Sequence, residues 1–577
     1  MKTYLLSTAT SFLFLFTIIL FVQCEDKDDP DTPGNQDPKR KDYDNGYYIG
    51  EFNDKEERHG TGTYYWNSGN VYEGQWENNS RSGQGKLTYS NGNIYEGNWK
   101  ESVRDGQGTF TWTSGAKYTG SWKNDERTGY GEMIYDNKDV YKGNWLSNNR
   151  DGLGELIYTD GTTFACQWKN NSPTDEKCYL LWHLKDWYLW NNEIGKVEVN
   201  DYSSAEDMLI KLKNTKDTGS EITDLENGTS TGASFSLGTE LGYGMGVRWD
   251  ADGVLRVAWV YEDGPAKLYG VKRGWKVEKI NSQNVQSLPT INITPNKEGE
   301  NISFLFVDEK GIQKPINLTS KIFKIQSVFS QNTYQLPNKK VGYIVLRSFV
   351  EPNAEEITTH IDNLIKNGIQ ELVLDLRYCA GGNYVVMNKF ANYIFPNAAN
   401  NQPFMYQKYN QDRQDRDTTY LVQKTGNLNL DRIFVLTTSS TYNLGEYLSI
   451  NLKPYLKVIQ IGNKTNGTDI YGISSWIFNE KKRHTLVTAQ FSNANRESVS
   501  GGLIPDYETF DGVDRDWGDE NEEMLKNALY FIANGYFPTS MRSSGKVEQQ
   551  KQLNTNVKEE VAPIEALEMN EKQLIAE

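Results

Sequence analysis

The hydrophobic pattern of this 577-residue chain changes character three times. From Tyr48 to Trp168, aromatic and polar residues alternate in short runs, the period-two pattern of strands with one buried face. Tyr72-Glu73-Gly74-Gln75-Trp76 returns as Tyr95-Glu96-Gly97-Asn98-Trp99, Tyr118-Thr119-Gly120-Ser121-Trp122 and Tyr141-Lys142-Gly143-Asn144-Trp145, so the period from 72 to 95 and onward is 23 residues. Each copy runs into a Gly-x-Gly pair: Gly83/Gly85, Gly106/Gly108, Gly129/Gly131 and Gly152/Gly154. A first copy starts at Tyr48 with Phe52 in the tryptophan place, and a last, partial copy holds Phe164 and Trp168. The pattern predicts one hairpin per repeat, stacked because a single hairpin cannot bury its own face.

Helical periodicity follows. Leu180–Trp190 packs three tryptophans into one predicted helix, and Ser203–Lys213 predicts another, with Ser203 or Ser204 as its cap. Short strands resume after residue 236, among them Val254–Val260. From Val341 the pattern becomes β–α–β: a buried strand Val341–Leu346, a helix Ala354–Asn367 stopped by Gly368, and a strand Glu371–Leu376. A further buried strand, Ile433–Leu436, leads through a hydroxyl-rich turn (Thr437–Thr441) into a helix that ends before Pro454. Val458–Ile461 is the next strand, followed by a loop holding Gly462, Gly467 and Thr468. Beyond about Ser540 the chain is rich in Lys, Glu and Gln and reads as a disordered or loosely helical tail.

Charge and composition narrow the function. The net charge of −16 argues against a nucleic-acid partner and against a basic face on anionic lipid. Fifty glycines, 35 tyrosines and 15 tryptophans suit short strands and tight turns. Lys2, the apolar run Phe12–Val22 and then Cys24 predict a secretory signal, too short for a membrane-spanning helix. In an exported protein Cys166 and Cys178 are near enough in sequence to pair, with Cys379 left over. The four histidines are scattered and no metal-ligand or cofactor spacing is present.

Several of these segments resemble known families. The 23-residue repeats resemble MORN repeats, which implies a spacer or docking surface. Cys24 after the apolar core resembles the lipobox of bacterial lipoproteins, which implies a lipid anchor at Cys24; the acidic run Glu25–Asp29 resembles the surface-export tether of Bacteroidetes-type lipoproteins. Gln23 departs from the small residue expected there, and ordinary secretion with Cys24 discarded is the alternative. Leu241-Gly242-Tyr243-Gly244-Met245-Gly246-Val247, then Asp263-Gly264-Pro265-Ala266, Gly270-Val271, Gly274 and Val277–Asn281, resemble a PDZ domain, with Trp275 in place of the usual aspartate. That resemblance implies that backbone N–H groups of Tyr243, Gly244, Met245 and Gly246 receive a peptide carboxylate.

The order of the tryptophan-rich helices, this domain, "LVLDLRYCAGG", "IFVLTTSSTYNLGE", "IGNKTNGT" and "GGLIPDYE" resembles the tail-specific (C-terminal processing) serine peptidases. The family's Ser–Lys dyad needs a serine three residues before the glutamate and a lysine 25 residues later. Glu446 puts Asn443 in the serine place, and Gly462-Asn463-Lys464-Thr465-Asn466-Gly467-Thr468 puts Thr468 in the lysine place; 443 to 468 is 25 residues. An amide is a poor nucleophile, and a threonine is no base near neutral pH. Gly381 and Gly382 hold the place of the oxyanion turn, with Cys379 and Ala380 altering it. Ser439, Ser440 and Thr441, with Lys464, are candidates for a relocated dyad.

The expected architecture is therefore multidomain. It comprises a signal and lipobox (1–24), a disordered tether (25–46), an all-β MORN-repeat solenoid (47–171) and a helical segment (172–235). A PDZ-like β-rich domain (236–322), an α/β tail-specific-protease-like core (323–540) and a disordered tail (541–577) complete it. The expected function is a cell-surface homologue that binds peptide or protein C-termini without cleaving them. An active peptidase with a shifted nucleophile, and a repeat-dominated surface scaffold, are the alternatives.

Overall fold

The computed structural model describes residues 39–217, 220–224, 238–467, 469, 471–538 and 544–557. Cys24 and Thr468 lie outside the described residues, as does most of the expected signal and tether. Thirteen antiparallel strands in chain order make up the repeat region, and the chain divides into two compact units, residues 1–128 and 129–577.

In the first unit, eight strands run from Lys39–Tyr43 to Lys117–Lys123. Two-residue hairpin turns join the strands of each repeat, with both turn residues in the left-handed region: Asn78 and Asn79 at φ 46° and 67°, Glu101 and Ser102 at 48° and 70°. Tyr95 is fully buried and meets Trp99 edge-on at 5.1 Å and Trp122 of the next repeat at 5.4 Å. Its hydroxyl donates to the Asn98 carbonyl oxygen at 3.0 Å, and Trp99 Nε1 donates to the Gly85 carbonyl oxygen at 3.1 Å. Arg81 lies 4.1 Å over the Trp99 ring. The aromatic ladder thus buries its rings and satisfies its polar tips. The second glycine of each pair makes room for the tyrosine: a Cβ on Gly108 would stand 2.2 Å from Tyr95 Oη.

The expected tether is corrected at its end. Lys39–Tyr43 is a strand paired with Gly46–Gly50, and Arg40 stacks 4.2 Å over Tyr47. Its charged composition hid an edge strand, where water-facing charges are at home.

The second unit opens with the remaining repeats. A disulfide joins Cys166, on the strand Thr163–Lys169, to Cys178 on the helix Glu176–Asp186. That helix starts earlier and stops sooner than its tryptophans suggested, because Asp175 caps it by accepting from Cys178 N–H at 3.1 Å. The following helix, Ala205–Leu212, is capped by Ser204, which accepts from Asp207 N–H at 3.1 Å.

A small β-module follows, with strands Met245–Trp249, Leu255–Val260, Lys276–Ile280, Asn301–Val307 and Gln313–Thr319 in that spatial order. The core is a six-stranded sheet in the order Val328–Gln335, Lys340–Leu346, Glu371–Asp375, Arg432–Thr437, Lys457–Gly462 and Tyr507–Glu508. All neighbours after the first pair are parallel. Ala354–Lys366, Tyr384–Ile394 and Leu444–Leu452 cover one face, and Glu523–Asn534 covers the other. Burial on both faces explains why these strands read as unbroken apolar runs.

The tail, expected to be disordered or loosely helical, is a packed helix over its described part, and residues 558–577 lie outside the described residues. Ser544–Asn554 is a helix, and Val557 is buried in the core of the β-module. Its composition lacks an apolar stripe because it attaches chiefly through side-chain amides, described below.

Candidate active site

In a parallel sheet, ligands gather at the carboxyl ends of the strands. Three loops leave such ends here: 376–383 after Glu371–Asp375, 438–443 after Arg432–Thr437, and 463–467 after Lys457–Gly462. The first is anchored by a buried charge cluster. Arg377 is fully buried and donates to Asp375 Oδ2 at 2.6 Å, Asp511 Oδ1 at 2.8 Å and Glu522 Oε1 at 2.7 Å. Tyr378 donates its hydroxyl to Asp511 as well. Burial alone would raise the Asp511 carboxyl, but Arg377 and Arg273 hold it below its ordinary value. Burial raises Glu522.

The anchored turn delivers Gly381 and Gly382, at φ 116° and 127°, to the foot of the helix Leu444–Leu452. A Cβ on Gly382 would stand 2.6 Å from the Phe349 carbonyl carbon, so this close approach needs glycine whatever chemistry follows. A Cβ on Gly381 would stand 3.2 Å from Asn443 Cβ, Cγ and Nδ2. The residue in the nucleophile place therefore lies directly on the glycine turn. Asn443 is 3 % exposed, with φ 61° and ψ −128°, a strained strand-to-helix corner of the kind that projects a nucleophile. Its Oδ1 is buried and accepts no hydrogen bond among the described residues.

Glu446 ties the loops together. It accepts from Asn443 N–H at 3.2 Å, from Gly467 N–H at 2.7 Å and from the Thr465 hydroxyl. The glutamate that set the sequence frame is thus a fully buried hub, a role its spacing alone did not reveal. Gly467, next to the lysine place, is held within a few ångströms of the same carboxylate that holds Asn443.

The other candidates are placed as follows. Cys379 is buried beside the helix, and burial pushes its thiol up to about 12, against the Gly381 N–H and Arg347, which favour the thiolate. It is a packed thiol, not a nucleophile. Ser439 is exposed. Ser440 is buried, and its Oγ accepts from Arg248 Nη2 at 3.2 Å and Nε at 3.4 Å. Lys464 is exposed and runs alongside Gly502.

Arg248 comes from the β-module, which brings the glycine-rich segment to the same place. A small cleft with a cavity volume of about 60 Å³ lies between them, walled by Tyr243, Met245, Arg248, Arg347, Ser440 and Tyr442. Arg248 and Arg347 lie 5.1 and 4.9 Å from the Trp259 ring, and Arg347 Nε is buried without a partner among the described residues. Gly246 also lines the cleft, whereas Gly244 packs on Gly264, where a Cβ would stand 2.3 Å from its Cα. Nothing in the sequence pattern singled out the two arginines, which become a pair only through the fold.

Comparison with known proteins agrees with this architecture. Residues 340–509 match peptidase family S41, residues 177–236 match the peptidase S41 N-terminal domain, and 48–71, 72–94, 95–117, 118–140 and 141–163 each match the MORN repeat. The chain is similar to the carboxy-terminal processing protease CtpA of Bacillus subtilis, 25% identical over 175 residues, which are 30% of this chain. The match spans 36% of that relative's length. A crystal structure from Bacteroides fragilis assigned to the S41 proteases shares the fold, with a TM-score of 0.51 at 21% identity over 64% of this chain and all of that one. The chain thus carries a peptidase family S41 domain, with that family's N-terminal domain and five MORN repeats ahead of it.

Proposed function

We propose that this chain is a catalytically silent S41 homologue that holds extended peptide or protein C-termini in the cleft without cutting them. The observation that carries the reading is Asn443, which stands on the strained corner against Gly381 with an amide where the peptidase chemistry needs a hydroxyl. Thr468 in the lysine place removes the base as well. The residues around the corner still suit a ligand. The PDZ-like glycine segment supplies backbone N–H groups, and Arg248 and Arg347 supply positive charge to a wall that a carboxylate can face. Export to the cell surface through a lipid on Cys24 belongs to the same reading, and the Cys166–Cys178 disulfide supports an oxidising compartment.

Fluorescence anisotropy on the full chain tests it, with a labelled peptide ending in an apolar residue and a free carboxylate, and the same peptide amidated at its C-terminus. The free acid binds and stays intact, and the amide binds at least about tenfold more weakly, the loss of one charge-assisted contact. Equal binding of both, or shortening of the peptide, would sink the proposal.

A second reading is favoured by one observation only: Ser440 is buried at the cleft wall and in contact with a guanidinium. If it were a relocated nucleophile, a fluorophosphonate probe would label the chain and the Ser440→Ala variant would lose the label. The present reading expects no labelling of either, since the Ser440 oxygen accepts from the Arg248 guanidinium.

A further inference from the structure

The strand Met245–Trp249 is the edge of the β-module and also a wall of the cleft. An edge strand turns alternate backbone groups outward, and such an edge accepts an added strand. Here outward groups are already engaged by side chains. Trp249 N–H donates to Asn554 Oδ1 at 3.0 Å, while the Trp249 carbonyl oxygen accepts from Asn554 Nδ2 and Gln550 Nε2, each at 3.1 Å. Two residues back, the Val247 carbonyl oxygen accepts from Arg248 Nη1 at 2.7 Å. The Asn554 amide therefore offers Trp249 the same acceptor and donor that a residue of a neighbouring strand would offer.

The helix that carries these amides, Ser544–Asn554, continues to Val557, which bridges Ile291 in parallel; Ile291 N–H donates to the Asn556 carbonyl oxygen at 2.9 Å. Ile291 and Val557 both line the cleft. The attachment is mainly polar: Gln550 also accepts from Asp511 N–H at 2.8 Å and donates to the Asp511 carbonyl oxygen at 3.0 Å. Val547 and Gln550 are the buried residues of the helix, Leu553 packs partly on the module, and two ion pairs join Lys546 to Asp252 and Lys551 to Glu508 at 2.8 and 2.6 Å. Such half-exposed pairs contribute little.

We propose that Ser544–Val557 is a resident, displaceable cover of the Met245–Trp249 edge, and that an extended peptide entering the cleft takes its place. The proposal rests on the peptide-binding reading of the cleft. A peptide strand would pair with Trp249 where the Asn554 amide now sits, and the observed affinity would be the intrinsic affinity reduced by the fraction of chains with the cover open.

Three forms of the full chain test it: unmodified, Asn554→Ala, and Asp252→Cys with Lys546→Cys joined by a short bis-maleimide. Peptide anisotropy and the hydrogen-exchange rate of the Trp249 amide are read on each. Loosening the cover in Asn554→Ala raises peptide affinity and Trp249 exchange by roughly tenfold, and pinning it lowers affinity by roughly tenfold, relative to the unmodified chain. Equal affinity in all three forms, or unchanged Trp249 exchange in Asn554→Ala, overturns the proposal. Faster exchange with no peptide bound by any form overturns the peptide-binding reading instead, and the exchange of occupants with it.

Discussion

Asn443 stands at the turn from strand into the helix Leu444–Leu452. At φ 61° and ψ −128° it is strained, and its buried Oδ1 has no hydrogen-bond partner among the described residues. Backbone strain of this kind costs on the order of 1–3 kcal/mol. The corner is imposed by what surrounds it: the glycine turn on one side, and the Glu446 carboxylate gripping its N–H on the other. Glycine pays no Cβ penalty at such an angle, so Asn443→Gly exceeds Asn443→Ala in stability by about 1 kcal/mol. Denaturant unfolding of the two variants checks this, and equal stabilities would mean the corner relaxes once the amide is gone. Neither strain nor burial was visible in the sequence, which showed only that the residue was of the wrong type for the place.

At the scale of elements, the helix Glu176–Asp186 carries a pH dependence. His183 is buried among aromatic rings, 4.2 Å from Trp476 and 4.5 Å from Tyr179 between centroids. Burial pulls its pKa from 6.5 down to about 3, with His484 and Arg413 adding to the effect and the Tyr179 carbonyl opposing it. The folded chain thus refuses a proton that the unfolded chain accepts near pH 6.5. Stability is present in full above that pH and falls as the pH drops toward 3, by about 1.4 kcal/mol per unit for one such group. His183→Gln therefore has a shallower loss of stability between about pH 6 and 4, by close to one proton, and an unchanged slope would contradict the assignment. The elements themselves were largely legible. The strands at 341–346, 433–436 and 458–461 were read from apolar runs, and the structure extends each by one residue or so. Boundaries set by a cap outside the apolar pattern were not, as Asp175 shows. Nor were segments held by polar contacts, such as Lys39–Tyr43 and Ser544–Asn554.

At the scale of the whole molecule, the sequence carried the order of modules because repeats and spacings are one-dimensional signals. Asn443 and Thr468 are 25 residues apart, the spacing that the expected Ser–Lys dyad would have. What the sequence did not carry is three-dimensional convergence. Arg248 and Arg347 are 99 residues apart by number and meet over one tryptophan ring at the cleft. Glu446 draws two loops onto one carboxylate, and a helix near the C-terminus closes the edge of the β-module. These features bring the glycine turn, the Glu446 carboxylate and the cleft together around Asn443, whose amide is a poor nucleophile.

The measurement that bears most directly on this account is cleavage of an unfolded casein-type substrate by residues 25–577 of the chain, unmodified and with Asn443→Ser and Thr468→Lys combined. Silence of the unmodified protein and cleavage by the double substitution are the expected results, because the strained corner and its glycine turn are already built. Cleavage by the unmodified chain would contradict the account and turn attention to Ser439 and Ser440.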